Sequence, residues 1–485
     1  MSNWTCIDSG GHEALVSMNV MEDKIEQRIH DLAEHLLQLE QDAKLMKQRR
    51  AKSSVTKFHL SAAWLCKRLL ASYVASAESG MRISKDKNRY ASGRYVPEGV
   101  TYDITIGGVL PLMEIDGFVR EVRSFGFDHA TGKGSQTRIA ATRKLVDWFA
   151  ADPALLPKLL VGCEDTDPVV VQITSKRKGK NKKGKEVNFK TKKLKPYVDN
   201  ANTNQMRDNL DIINDCLKRH WSDLYLSDDK WEKLQQSLVS NKKYDYTPIR
   251  LHRQTIRRIF NSISFDIGGR FYGGWWQNIP SAYRSLITID GKRTAEFDYG
   301  RLHPTILYAK KGLTLSEDAY DIGVGKGDEH RDVIKQLFNA MVQMREPQDR
   351  PPRDVKFSQT GKTWKQLRNL IVERHQPIND KFFCGMGNTL QYEDSQLAEK
   401  VMLHFAKQDI PVLPVHDSFI IIRGLWHELL RVMKDEFEKE YHVPITIGAK
   451  EFMVGNELKE GDLVEQVVTH MAEFNCWWRR SEEIL

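Results

Sequence analysis

The 485-residue chain contains no run of about 18 or more apolar residues, so no transmembrane helix is expected. Its first residues, Met1-Ser2-Asn3-Trp4, lack a basic stretch followed by an apolar core, and no signal peptide is expected. The six cysteines (Cys6, Cys66, Cys163, Cys216, Cys384 and Cys476) are scattered, with no C-x-x-C pair. That speaks against a zinc site or a disulfide framework and for a reducing, cytoplasmic setting. Small buried apolar residues account for all six. No internal repeat is evident. What is present is ordinary for a globular protein: 40% hydrophobic residues, in a chain long enough for two to four cores.

Charge is the first uneven feature. The net charge is +8, yet Ser175 to Lys195 alone hold eleven Lys/Arg and one Glu, leaving about −2 for the rest. This segment is punctuated by Gly179 and Gly184 and has no apolar period, so it reads as a mobile loop or hairpin tip. Lys176, Lys178, Lys182 and Lys183 are its candidate contacts to a phosphate backbone, a contact insensitive to base sequence and sensitive to salt. A solvated linker is the plain alternative.

Periodicity divides the remainder. Residues 20–50 read as one long helix, with Ile25, Ile29, Leu32, Leu36 and Leu37 at helical spacing. A second helix is expected from about Ser61 to Ala77. Between 97 and 150 come a helix edge, a strand from Phe118 to Val122, a polar Gly-rich loop, a strand from Thr137 to Thr142 and the start of another helix. That layout resembles the wing of winged helix-turn-helix domains, with Lys133, Arg138, Arg143 and Lys144 toward nucleic acid. A plain β-hairpin fits as well. Residues 200–262 look helical, and Arg250, Arg253, Arg257 and Arg258 form an expected basic helix face.

Two strings place an aspartate at the end of an apolar run: Glu296-Phe297-Asp298-Tyr299 and Val415-His416-Asp417-Ser418-Phe419. A charge amid such apolar chain needs a partner or a metal. If the two runs pair in one sheet, the carboxylates meet and can hold divalent cations, as two-metal phosphoryl transfer requires. Each string alone is also met by a hydrogen-bonded structural aspartate.

The strings around them carry a resemblance. Gly269-Arg270, Gln277-Asn278-Ile279-Pro280, Asp298-Tyr299, Arg331 with Lys335 four residues on, and His416-Asp417 follow one another in the order and at the spacing of family A DNA polymerases. The segment 268–450 resembles that family. The resemblance implies an α+β right-hand polymerase: an antiparallel palm sheet with helical fingers and thumb, plus a helical, winged-helix-like N-terminal region. The implied units are 1–95 (helical), 96–160 (winged-helix-like), 161–262 (basic loop and thumb-like helices) and 263–485 (palm and reduced fingers). Asp298, Asp417 and the Tyr299 carbonyl would bind two Mg²⁺ ions, with Mn²⁺ as a substitute. Arg331 and Lys335 would grip the triphosphate of the incoming nucleoside triphosphate, since positions i and i+4 share one helix face. Tyr299, His303, Phe338 and Asn339 would line the nucleotide pocket. Arg270, Gln277, Asn278 and His416 would touch DNA at the primer terminus. Glu296 is a third carboxylate on the same strand face. The implied setting is the cytoplasm of a bacterial host, within a phage or plasmid-like replication system, and no membrane partner is expected.

Three positions depart from the family pattern. Ser418-Phe419 after the second aspartate resembles single-subunit phage-type RNA polymerases. His303 stands where the DNA polymerases place a glutamate. Gln343 stands where the fingers helix carries a tyrosine; Phe338, within about 20° of Arg331 around the helix, is the candidate substitute for stacking on the base. An RNA polymerase, a primase or a primer-independent polymerase therefore stays open beside a DNA polymerase. A DNA-binding replication initiator without catalysis is the reading from another class.

Overall fold

The computed structural model describes residues 11–45, 50–91, 93–123, 126–128, 133–150, 167–180, 186–241, 247–324, 327–352 and 355–450. Among them helices and mainly antiparallel sheets alternate along the chain. No helix among the described residues is long and apolar enough to cross a membrane.

Buried apolar side chains form two cores. The first joins α1 (Gly11–Asp42) and α2 (Lys52–Ala75) to everything up to Phe149. Leu32 and Leu36 of α1 and Leu65 and Leu69 of α2 are fully buried, one apolar stripe against the other. The first helix thus ends at Asp42, short of the expected 50. Strands β1 (Met81–Ile83), β2 (Val119–Arg123) and β5 (Thr137–Ala141) make a sheet in the order β1-β5-β2, with a small β3 (Gly126–Asp128)–β4 (Lys133–Ser135) hairpin between β2 and β5. Helix α3 (Arg143–Ala150) follows. The expected helix–strand–turn–strand layout is there, but its cations are engaged locally. Arg138 is buried and donates to the Ser79 carbonyl. Arg143 pairs with Asp147, and Lys144 with Asp116. The side chain of Lys133 lies outside the described residues.

The second core runs from Val169 to Ile445. The described part of the lysine-rich segment, expected as a loop or hairpin tip, is a hairpin: β6 (Val169–Lys180) and β7 (Glu186–Leu194) pair from Gln172↔Leu194 to Lys180↔Glu186. Lysines interspersed with Val187, Phe189 and Thr191 suit an extended hairpin better than their charge suggests. Helix α4 (Ala201–Arg219) starts at an Asn200/Thr203 capping box, and β8 (Ser222–Leu224) and α5 (Asp228–Ser240) follow.

The expected basic helix face at 250–258 is instead a coil leading into β9 (Arg257–Phe260). Alternation of Ile256, Arg258 and Phe260 with Arg257 and Ile259 sets a period of two, and the buried set includes Arg258. Arg258 donates to Glu399, Ser395 and the Gly269 carbonyl, so its charge is paired within the core. β9 lies between β6 (parallel) and β10 (Gly268–Tyr272) in a sheet of order β10-β9-β6-β7.

A third sheet holds the aspartates. Its strands are β8, β11 (Ile287–Ile289), β12 (Lys292–Tyr299), β13 (Leu413–Val415), β14 (Ser418–Ile422) and β15 (Ile447–Lys450), ordered β13-β14-β12-β11-β8 with β15 also on β12. Helix α10 (Trp426–Tyr441) packs on this sheet; α9 (Gly387–Ala406) packs on α10 and on β10, α6 (Leu302–Ala309) and α7 (Asp328–Gln343) on α9, and α8 (Trp364–Arg374) on α7.

Candidate active site

Along β12 the side chains alternate. Ala295, Phe297 and Tyr299 enter the core, while Thr294, Glu296 and Asp298 share the partly open face. β14 runs antiparallel beside it, with Asp298 opposite Ser418 and Phe297 opposite Phe419. The Tyr299 N–H donates to the Asp417 carbonyl at 3.2 Å. The two aspartates therefore meet at one end of a strand pair, as the sequence led one to expect.

Asp417 reaches this place through a tight turn. Val415 pairs with Ser418, leaving His416 and Asp417 as the two turn residues, and His416 has φ +61°. A positive φ on a non-glycine residue is a local cost that the surrounding sheet holds in place. Among the described residues the Asp417 carboxylate has no hydrogen-bond or ion-pair partner. On the other side of β12, Gly448 of β15 lies opposite Asp298. A Cβ on Gly448 would sit 2.6 Å from Asp298 Oδ1, so the carboxylate fills the space a side chain would take.

Glu296 is tied down beside the pair. Its Oε1 accepts from Ser418 Oγ at 2.6 Å and from Arg284 Nη1 at 3.0 Å. A cavity of about 520 Å³, lined by Arg284, Thr294 and Glu296 among others, opens along this strand face. Ser418 thus has a role the sequence did not disclose: it holds the third carboxylate.

The segment before β11 braces the aspartate turn. Trp276 Nε1 and Gln277 Nε2 both donate to the Pro414 carbonyl, at 3.0 and 2.9 Å. Gln277 also donates to the Phe271 carbonyl and accepts from the Gly273 N–H. Its amide is committed to backbone and braces the turn. Asn278 is exposed and donates to the Gly274 carbonyl at a long 3.4 Å.

Arg270 extends from β10 and forms a forked ion pair with Asp394 of α9, whose side chain is fully buried. His303 Nε2 lies 3.2 Å from the same Asp394. Asp394 gave no signal in the sequence beyond a carboxylate in an amphipathic helix, yet it organises two expected site residues. The His416 ring packs edge-on to Tyr272 at 5.8 Å. Desolvation, with the Arg270 guanidinium adding to it, holds His416 below the ordinary imidazole range. The ring is neutral at neutral pH, which suits a hydrogen bond better than a charge contact.

Helix α7 carries Arg331 and Lys335. Arg331 donates to Asp318 at 2.7 Å and stacks its guanidinium over Tyr320 at 5.1 Å. Desolvation works against the Asp318 carboxylate, but the Arg331 hydrogen bond outweighs it and its pKa is lowered. Burial pushes the Tyr320 phenol up, Arg331 opposes this, and the charges of Asp318 and Asp417 add to it. Tyr320 therefore links α7 electrostatically to the aspartate turn. Lys335 is exposed and has no ion-pair partner among the described residues.

Two nucleotide-pocket expectations are corrected. Phe338 is fully buried against His375 (4.9 Å), Phe382 (5.3 Å) and Tyr320 (6.0 Å), so no ring face is left for a base. A position near Arg331 around the helix is not enough when the next layer covers it. The Tyr299 ring also points inward, its hydroxyl donating to the Met433 carbonyl, so only its backbone faces the aspartates. Asn339 is half-buried on α7.

Of the basic segment, the backbones of Lys176 and Lys178 lie in β6, opposite Lys190 and Asn188. Lys182 and Lys183 fall outside the described residues. No protein-family model matches the chain, and no curated protein is significantly similar to it.

Proposed function

We propose that this chain is a template-directed nucleotidyltransferase, a DNA polymerase of a phage or plasmid-like replication system with a right-hand arrangement built on the β12/β14 sheet. The observation that carries the reading is the pairing of two carboxylate-bearing strands. Asp298 lies opposite Ser418, and Asp417 is hydrogen-bonded through its carbonyl to the residue after Asp298. Two hard oxygen donors brought to one end of a strand pair, with the adjacent Tyr299 carbonyl, would make a ligand set for Mg²⁺, and Mn²⁺ would fit as well. The close approach of the Gly448 backbone to Asp298 supports this fit, because it fixes that carboxylate against the sheet. Bound ions there would supply Lewis-acid activation of a primer hydroxyl and charge neutralisation at the leaving pyrophosphate.

The chain's own groups have separable tasks. Asp298 and Asp417 hold the cations, and Ser418 and Arg284 keep Glu296 beside them. Lys335 offers an ammonium to the polyphosphate. Arg331, held on Asp318, exchanges this partner for phosphate or orients Tyr320. Neutral His416 donates to the primer backbone, and Arg270, locked by Asp394, holds the strand beneath it.

The test is extension of a primed DNA template in Mg²⁺ with deoxynucleotides only, then ribonucleotides only. Extension with deoxynucleotides is the expected result. Preference for ribonucleotides would transfer the reading to an RNA polymerase or primase. No incorporation with either pool, in Mg²⁺ or Mn²⁺, would exclude both and leave a non-catalytic nucleic-acid binder.

A further inference from the structure

A second concave site lies between the two cores. A cavity of about 440 Å³ is lined by seven arginines and, among the described residues, by no aspartate, glutamate or lysine. Arg68 comes from α2, Arg82 from β1 and Arg138 from β5; Arg250, Arg253 and Arg257 come from the coil and strand on the other side. Trp64, Tyr90 and Tyr95 supply aromatic surface in the same wall. Some of these guanidiniums are anchored by the fold: Arg82 and Arg138 both reach Thr247 Oγ1, and Arg68 stacks over Trp64 at 5.0 Å.

The choice of residue is informative. The β6–β7 segment from Ser175 to Lys195 uses ten lysines and one arginine, whereas the cations that line the cavity among the described residues are all arginines. Lysine serves a diffuse phosphate field. Arginine with aromatic neighbours gives bidentate phosphate contacts and stacking surfaces, the combination that holds an unpaired nucleic-acid strand.

Position supports the same ligand. Tyr95 donates to the Lys195 carbonyl at 2.9 Å and accepts from the Val171 N–H at 3.0 Å, so the cavity wall is pinned to the root of the basic hairpin. Arg257 lies directly opposite Tyr272 on the β9/β10 pair, which puts the two side chains on one face. Tyr272 contacts His416, which precedes Asp417. One strand-to-strand step and one ring contact thus connect the cavity to the aspartate turn.

We propose that the arginine-lined cavity binds the phosphate backbone of a single nucleic-acid strand and leads it between the basic hairpin and the paired aspartates. The destination of that strand rests on the polymerase reading; binding in the cavity does not. The test uses the full chain and the fluorescence anisotropy of a labelled oligothymidylate, a blunt DNA duplex of equal length, and a labelled ATP analogue. Arg82→Gln combined with Arg253→Gln should weaken single-strand binding by about tenfold and lower the log–log salt slope by about 1.4, the value for two lost phosphate contacts. Duplex binding should change much less. Arg82 is exposed, so Arg82→Gln alone leaves the apolar core intact, although it loses the hydrogen bond to Thr247, and should give about half that slope change. Asp417→Asn should leave this binding unchanged, which separates the proposal from the catalytic reading. Unchanged single-strand affinity in the folded variants would overturn it. So would an equal loss for duplex, or loss of ATP-analogue binding alone.

Discussion

Asp298 and Gly448 face each other across β12 and β15 at a distance that leaves no room for a methyl group. Gly448→Ala should therefore push the Asp298 carboxylate out of line. A displacement of that order in a reacting geometry costs about a hundredfold in rate. Gly424 has open space around its Cβ position, and Gly424→Ala should leave incorporation unchanged. Steady-state incorporation with both variants, alongside thermal melting, checks this. Equal activity of Gly448→Ala and the parent would mean that Asp298 does not act where it lies. At this scale the sequence was informative about charge and silent about contact. Asp298 and Asp417 were legible because each ends an apolar run. Asp394, Arg284 and Gly448 were not, because a carboxylate in a helix, an arginine in a short turn and a glycine near a strand have many uses. Only the register of β12 and the packing of α9 assign them one.

Helix α7 depends on what lies beneath it. Phe338 rests on His375, which is fully buried, lies 2.8 Å from the Ala319 carbonyl and also contacts the Tyr308 hydroxyl. Desolvation lowers the His375 pKa from its ordinary value to about 4. The folded state therefore refuses a proton that the unfolded chain takes up below about pH 6.5. The stabilising effect is complete above that pH and is lost as pH falls from about 6.5 toward 4, by about 3 kcal/mol in all. Denaturant unfolding at pH 7 and pH 5 should show the fall, and His375→Gln should flatten it. A fall of the same size in His375→Gln would assign it to other groups. The elements themselves were unevenly legible. Helices α1 and α2 showed in their apolar period, while the lysine-rich segment left loop and hairpin tip open, because charge masks the alternation of Val187, Phe189 and Thr191 that marks the strands. The arginine run at 250–258 had the spacing of a helix face and became coil and strand, because Glu399 on α9 draws Arg258 into the core.

Over the whole molecule, charge is arranged rather than spread. In the hairpin register Lys176 lies opposite Lys190. Replacing Lys176, Lys178 and Lys190 by Gln should weaken binding to single and double strands of every sequence alike. It should also reduce the duplex salt slope by about 2 to 3. Salt titration of binding measures this, and a loss confined to one base sequence would contradict a backbone contact. The arginine cavity could not be read from local patterns, since it depends on which distant segments meet. The aspartate pair could, and it is where the functional reading is most exposed. The decisive measurement is Mg²⁺-dependent nucleotide incorporation on a primed template by Asp417→Asn and Asp298→Asn, each shown to fold by its melting transition. Loss of incorporation in both, by at least about a thousandfold, is expected. Full activity in either folded variant would contradict a catalytic aspartate pair.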